Sequence, residues 1–149
     1  MQTVTFGSTA PRVPIWLWAA AVFGVVWNLY GTYQYIGTFT QAGQAAMTAG
    51  MTPAQAAVYL ALPAWVSAVF AVGVFGVLAG SMLLALRRAS ARPVFAVSLV
   101  GYGLLFAGDA AYGVFAVIPS QLAILAAVVL IAATLLGVTS LARKRGLLN

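Results

Sequence analysis

The sequence predicts an all-α fold: a four-transmembrane-helix bundle with both termini on the cytoplasmic side and a short extra helix before the second span. Three observations predict it. Apolar residues make up 64% of the 149-residue chain, with its 15 glycines left out of that figure; soluble domains reach about 45–50% with glycine included. Charged residues make up only 5%, against roughly 25% in a soluble domain, so the natural solvent for this surface is lipid. The basic residues sit in short clusters at the ends of long apolar runs, where they anchor membrane helices.

A bilayer core is about 30 Å thick and needs about 20 mostly apolar residues per crossing. Four stretches meet that test, at about 14–36, 64–86, 93–117 and 120–141, within a single integral membrane domain over 1–149. Pro14 suits the first turn of span one, and Trp16 and Trp18 fall where an interfacial aromatic belt belongs. The apolar run continues well past the small residues Ala19, Ala20 and Ala21, so it reads as a retained helix and not a cleaved leader. Thr52-Pro53-Ala54-Gln55 has the form of a helix start, with Thr52 as cap and Gln55 reaching back. A helix running from Pro53 to Leu86 would be about 51 Å long, so a bend is expected near Pro63. Pro119-Ser120 is the start signal of span four. The runs are continuous and twice as long as barrel strands, which excludes a β-barrel.

Arg12 precedes span one, Arg87, Arg88 and Arg92 lie between spans two and three, and Arg143, Lys144 and Arg145 follow span four. Four crossings put all seven on one side, and the positive-inside rule makes that side cytoplasmic. The same residues are expected to set topology or to meet lipid head groups. The net charge of +6 does not imply nucleic acid, because these clusters form no basic face with interleaved aromatics.

Several chemistries are excluded by residue type. The chain has no cysteine and no histidine, which removes thiolate sites and the usual imidazole ligand or general base. Its only lysine is Lys144, beyond the last apolar run, and its only acid is Asp109. No metal site, no cofactor and no enzyme activity are expected. Ser67, Ser81, Ser98 and Thr134 are expected to bond to carbonyls of their own helices.

Two features inside the membrane remain. Gly73, Gly76 and Gly80 give span two a small-residue stripe, which suits close helix packing within the chain or against a partner. Gly24, Gly31, Gly101 and Gly103 are candidates for the facing surfaces. Asp109 lies about 24 Å along span three from Pro93, in the outer half, where an acid is either structural or functional. Asn28, Tyr30 and Gln34 in the outer half of span one, and Tyr112 three residues after Asp109, are expected to gather around it. That cluster would be either a small polar pocket or hydrogen-bonded glue with an aromatic belt.

Several stretches, taken together, resemble a group of small bacterial four-helix membrane proteins often labelled sugar transporter. They are Trp27-Asn28-Leu29-Tyr30-Gly31, Met51-Thr52-Pro53-Ala54-Gln55, Leu62-Pro63-Ala64-Trp65, the run from Phe70 through Gly80-Ser81 to Arg87-Arg88, and Pro93-Val94-Phe95-Ala96-Val97-Ser98-Leu99. The resemblance covers roughly residues 15 to 101 and implies a multi-pass protein of the bacterial inner membrane. In that group an acid often follows the Trp-Asn-Xaa-Xaa-Gly segment; here Tyr33 and Gln34 stand nearby. Two functions follow as expectations: a non-catalytic accessory or scaffold protein, or a small oligomeric transporter using Asp109 in an outer-leaflet pocket. The expected partners are the lipid bilayer and either further copies of the chain or a larger membrane complex.

Overall fold

The computed structural model describes residues 12–149. Seven helices follow one another among them: α1 (Ile15–Gly37), α2 (Gln41–Thr48), α3 (Pro53–Leu60), α4 (Ala64–Ala85), α5 (Ala91–Ala111), α6 (Val114–Val117) and α7 (Pro119–Lys144). α1, α4, α5 and α7 are long and apolar enough to cross a membrane, and the protein is a multi-pass helical bundle. At 21 to 26 residues each, these helices extend about 32–39 Å. Large apolar side chains point outward all round them, including Phe23, Val26, Val100, Ile124 and Leu130. In water such a surface would drive aggregation; in a bilayer it faces acyl chains.

Each span packs mainly on its neighbour in the order α1, α4, α5, α7. The α4–α5 pair is the tightest, and its glycines explain why. A β-carbon on Gly73 would collide with the Tyr102 ring, one on Gly76 with Ser98, and one on Gly80 with Phe95. The partners run backwards along α5 as the glycines run forwards along α4, the register of an antiparallel hairpin. Ser98 Oγ completes the seam by donating to the Gly73 carbonyl across the two helices. The stripe is therefore spent inside the chain. Gly101 returns the contact from α5, against Val72 and the backbone of Gly73, and Gly24 lies against Ser81. Gly103 faces open space instead.

Ser98 departs from the expectation that it would bond within its own helix, because the missing side chain at Gly73 and Gly76 brings a foreign carbonyl closer. Thr134 does bond its own helix, donating to the Leu130 carbonyl at 2.8 Å. Ser81 Oγ, buried against Gly24, has no hydrogen-bond partner among the described residues.

Three boundaries differ from the sequence reading. Span three ends at Ala111, because Gly113 adopts a left-handed φ of 72° and turns the chain into the separate short helix α6. α2 arises where no helix was expected: Thr40 caps it by accepting from the Gly43 amide. At the start of α7, Pro119 takes the first turn but no side chain caps the helix, and the helix runs on to Lys144. The start of α3 forms as expected, with Thr52 and Gln55 completing a reciprocal capping box. The expected bend at Pro63 is a full break, α3 ending at Leu60 and α4 starting after Pro63.

The start of α1, the α4–α5 loop and the end of α7 share one end of the bundle. The Arg145 guanidinium lies 5.8 Å from the Trp16 ring centroid, a cation–π distance. Arg87 takes a left-handed φ of 59°, and its Nε donates to the Leu147 carbonyl at 3.0 Å. Asn149 adds two backbone bonds of 2.7 Å, to the Arg87 carbonyl and from the Ala89 amide. Arg12 and the other six basic residues all lie at this end. α2, α3 and α6 cover the opposite end as a roof.

Candidate functional site

The roof end encloses a cavity of about 460 Å³, within the range of small-molecule sites. Its walls follow from helical spacing. α1 presents Trp27, Asn28, Tyr30, Gly31 and Gln34; α4 presents Val66, Ser67, Phe70 and Val74; α5 presents Tyr102, Leu105 and Asp109. α7 adds Gln121, Ile124, Leu125 and Val128, and the roof adds Gln44, Met47, Tyr59 and Leu60. These intervals of three, four and seven residues place each set on one helix face.

The deep end of the cavity is tied by a polar pair. Asn28 is 1% exposed; its Nδ2 donates to the Gly24 carbonyl at 2.8 Å, and its Oδ1 accepts from the Tyr102 hydroxyl at 3.5 Å. Below that pair, Gly24 meets Ser81 and Leu135, which closes the bundle toward the basic end.

Asp109 is 2% exposed and sits in the last turn of α5. Its Oδ2 accepts from Gln121 Nε2 at 3.5 Å, the long limit of such a bond. Its Oδ1 has no partner among the described residues. The negative end of the α5 dipole disfavours a carboxylate there, while the positive N-terminal end of α7, which carries Gln121, favours one; the two oppose each other. Among the described residues Asp109 forms no ion pair, since the basic side chains lie at the other end of the bundle. Tyr59, outside the membrane-crossing helices, feels this environment: burial first, and the Asp109 charge second, push its hydroxyl above the usual phenol range. It stays a neutral donor and acceptor at the cavity wall.

The roof is held by side-chain bonds to the backbone. Gln44 Nε2 donates to the Thr38 carbonyl at 2.7 Å, and Gln55 Nε2 donates to the Val117 carbonyl at 2.8 Å, joining α3 to α6. Among the cavity residues, the exposed ones are Trp27, Tyr30, Leu60 and Ile124. They belong to α1, α3 and α7, so the mouth lies between α1 and α7 beneath the end of α3. α1 and α7 touch at Gly24 and Leu135.

Of the five residues expected to gather at Asp109, four line this cavity: Asp109, Asn28, Tyr30 and Gln34. Tyr112 does not. It caps the end of α5, 48% exposed, and its hydroxyl accepts from Trp65 Nε1 at 3.4 Å. Helix spacing put it on the face of Asp109, but α5 stops at Ala111 and the chain turns away. Gln121, Tyr59 and Tyr102 went unnoticed in the sequence. Tyr102 lies on the same face of α5 as Asp109, seven residues or about two turns deeper, so its place was legible. Gln121 and Tyr59 arrive from other elements and carried no such signal. Among the described residues no group of three or more metal-ligating side chains forms.

Compared with family models, with curated proteins and with solved structures, the chain matches none. The residues themselves carry the functional argument.

Proposed function

We propose that the protein is a small-solute-binding membrane protein of the transport type, and that the cavity lined by Asp109 is its substrate site. The observation that carries this reading is the cavity itself: an opening of solute size whose inner wall holds the one acid of the chain, buried and incompletely bonded. Structural polar residues in a bundle are as a rule bonded to each other or to the backbone, as Thr134 and Thr139 are. Ser81 Oγ is also unpartnered among the described residues, but it is uncharged, is wedged against Gly24 and lines no part of the cavity. The alternative role, an accessory or scaffold protein, drew on the glycine stripe as a partner surface. That stripe is occupied by α5, which leaves the accessory role without the surface that favoured it.

The basic end is cytoplasmic on this reading, by the positive-inside rule, and the cavity opens toward the outer leaflet of a bacterial inner membrane. One chain encloses the cavity, so binding does not require a second copy.

The test is a thermal-stability screen of the protein in lipid nanodiscs against small neutral, cationic and anionic amphiphiles. Gly31 lines the cavity, and Gly31→Leu extends a side chain into it. At least one solute should raise the unfolding temperature of the parent protein and leave Gly31→Leu unmoved. If no solute separates the two proteins, the cavity is not a binding site.

A further inference from the structure

We infer that the ligand of this cavity is an amphiphilic organic cation, a protonated amine on an apolar or aromatic body, taken up from the outer leaflet through the gap between α1 and α7. The inference rests on the cavity being a substrate site and names the chemistry that site selects.

Four observations converge. Asp109 lines the cavity, and its Oδ1 is buried with no hydrogen-bond partner among the described residues. An ionised carboxylate held this way is costly unless a cation meets it, and the chain's seven lysine and arginine side chains lie at the opposite end. An ammonium N–H supplies both the missing charge and the missing donor, in the stronger charge-assisted form of the bond. Next, the walls carry the aromatic side chains of Trp27, Tyr59, Phe70 and Tyr102, a ring type whose faces attract cations.

The remaining wall is aliphatic, with Val66, Val74, Leu105, Leu125 and Val128, and suits an apolar body. A polyhydroxy solute would need many free polar partners. Here Asn28, Gln44 and Gln121 are already engaged with Gly24 and Tyr102, Thr38 and Asp109 respectively, which leaves Tyr30, Gln34, Tyr59 and Ser67 as scattered polar groups on an otherwise apolar lining. An anion would meet Asp109 with no compensating cation. Last, the mouth is framed by the exposed side chains of Tyr30 and Ile124, 60% and 57% accessible, on helices whose outer faces meet lipid. Amphiphiles concentrate in that layer.

Titration of the protein in nanodiscs tests this with three near-isosteric probes: 4-phenylbutylammonium, 4-phenylbutan-1-ol and 4-phenylbutyrate. Empty nanodiscs of the same lipid correct for partitioning. The ammonium should bind at least tenfold more tightly than the alcohol, and the carboxylate more weakly still. Asp109→Asn should erase the preference for the ammonium while keeping affinity for the alcohol, and Asp109→Glu should retain part of the preference. Equal binding of ammonium and alcohol to the parent protein, or a preference that survives in Asp109→Asn, would overturn the cationic class and leave the pocket standing. Binding of none of the three, where the wider screen finds another ligand sensitive to Gly31→Leu, would overturn it in the same way. Binding of none, with no ligand in the wider screen, would remove the pocket and the inference together.

Discussion

The ring of Tyr102 occupies the space that a side chain on Gly73 would need: a β-carbon built there would stand 2.6 Å from Tyr102 Cδ1. The contact couples helix packing to the cavity, because the same tyrosine donates to Asn28 at the deep end. Gly73→Ala forces the ring aside, and overpacking of this kind costs about 1–3 kcal/mol. The unfolding midpoint in detergent should fall accordingly. Gly103→Ala, on the same α4–α5 pair but facing open space, should leave the midpoint unchanged or higher, since alanine favours the helix by about 1 kcal/mol.

Asp109 should be a liability for stability in the absence of ligand. A buried polar atom without a partner costs about 1–3 kcal/mol, and a buried charge without a counter-ion costs more. Asp109→Asn is therefore expected to raise the unfolding temperature of the ligand-free protein. A fall in that temperature would mean that the carboxylate is part of the bundle's internal bonding and not a group held in readiness.

The roof depends on few bonds, and its loss should be local. Gln55 serves both the capping box of α3 and the bond to the Val117 carbonyl. Gln55→Ala removes both, at about 1 kcal/mol for each hydrogen bond. Hydrogen exchange should accelerate in residues 53–60 and 114–117 and stay unchanged in α4 and α5. Thr52→Ala, which removes only the cap, should cost about 1 kcal/mol and accelerate exchange in α3 alone.

The absence of cysteine from the chain makes its orientation directly measurable. Ala45→Cys on exposed α2 and Ser90→Cys in the α4–α5 loop place single thiols at opposite ends. In intact spheroplasts, a membrane-impermeant maleimide should label the first and spare the second until the membrane is opened. The reverse pattern would invert the orientation.

Much of the fold was legible because a bilayer imposes a length and a polarity on each crossing. The span from 64 to 86 matched α4 to within a residue, since Pro63 and Arg87 bracket a run with no other stop. The end of span three was misplaced because Val114 to Val117 is as apolar as the helix before it, and hydropathy does not register the backbone turn at Gly113. The glycine stripe was recognised and Gly101 stood among the candidates for its facing surface, but Phe95, Ser98 and Tyr102, which fill the stripe, resemble any other residues on an apolar helix. At the site, Asn28 and Gln34 were identifiable as polar positions on one face of an apolar helix. Tyr59 and Gln121 reach Asp109 only through the roof and the packing of α7, both products of tertiary structure.

Gly24 of α1 meets Ser81 of α4 and Leu135 of α7, giving the cavity a closed floor. A solute resting against Asp109 has two barriers between it and the arginines: the Asn28–Tyr102 tie, and the Gly24 contact with Ser81 and Leu135. Moving a roof helix removes neither. Passage to the far side would require α1 to lean away from α4 and α7 along its inner half, so the first helix, and not the lid above it, is the member whose tilt would decide which compartment the carboxylate addresses.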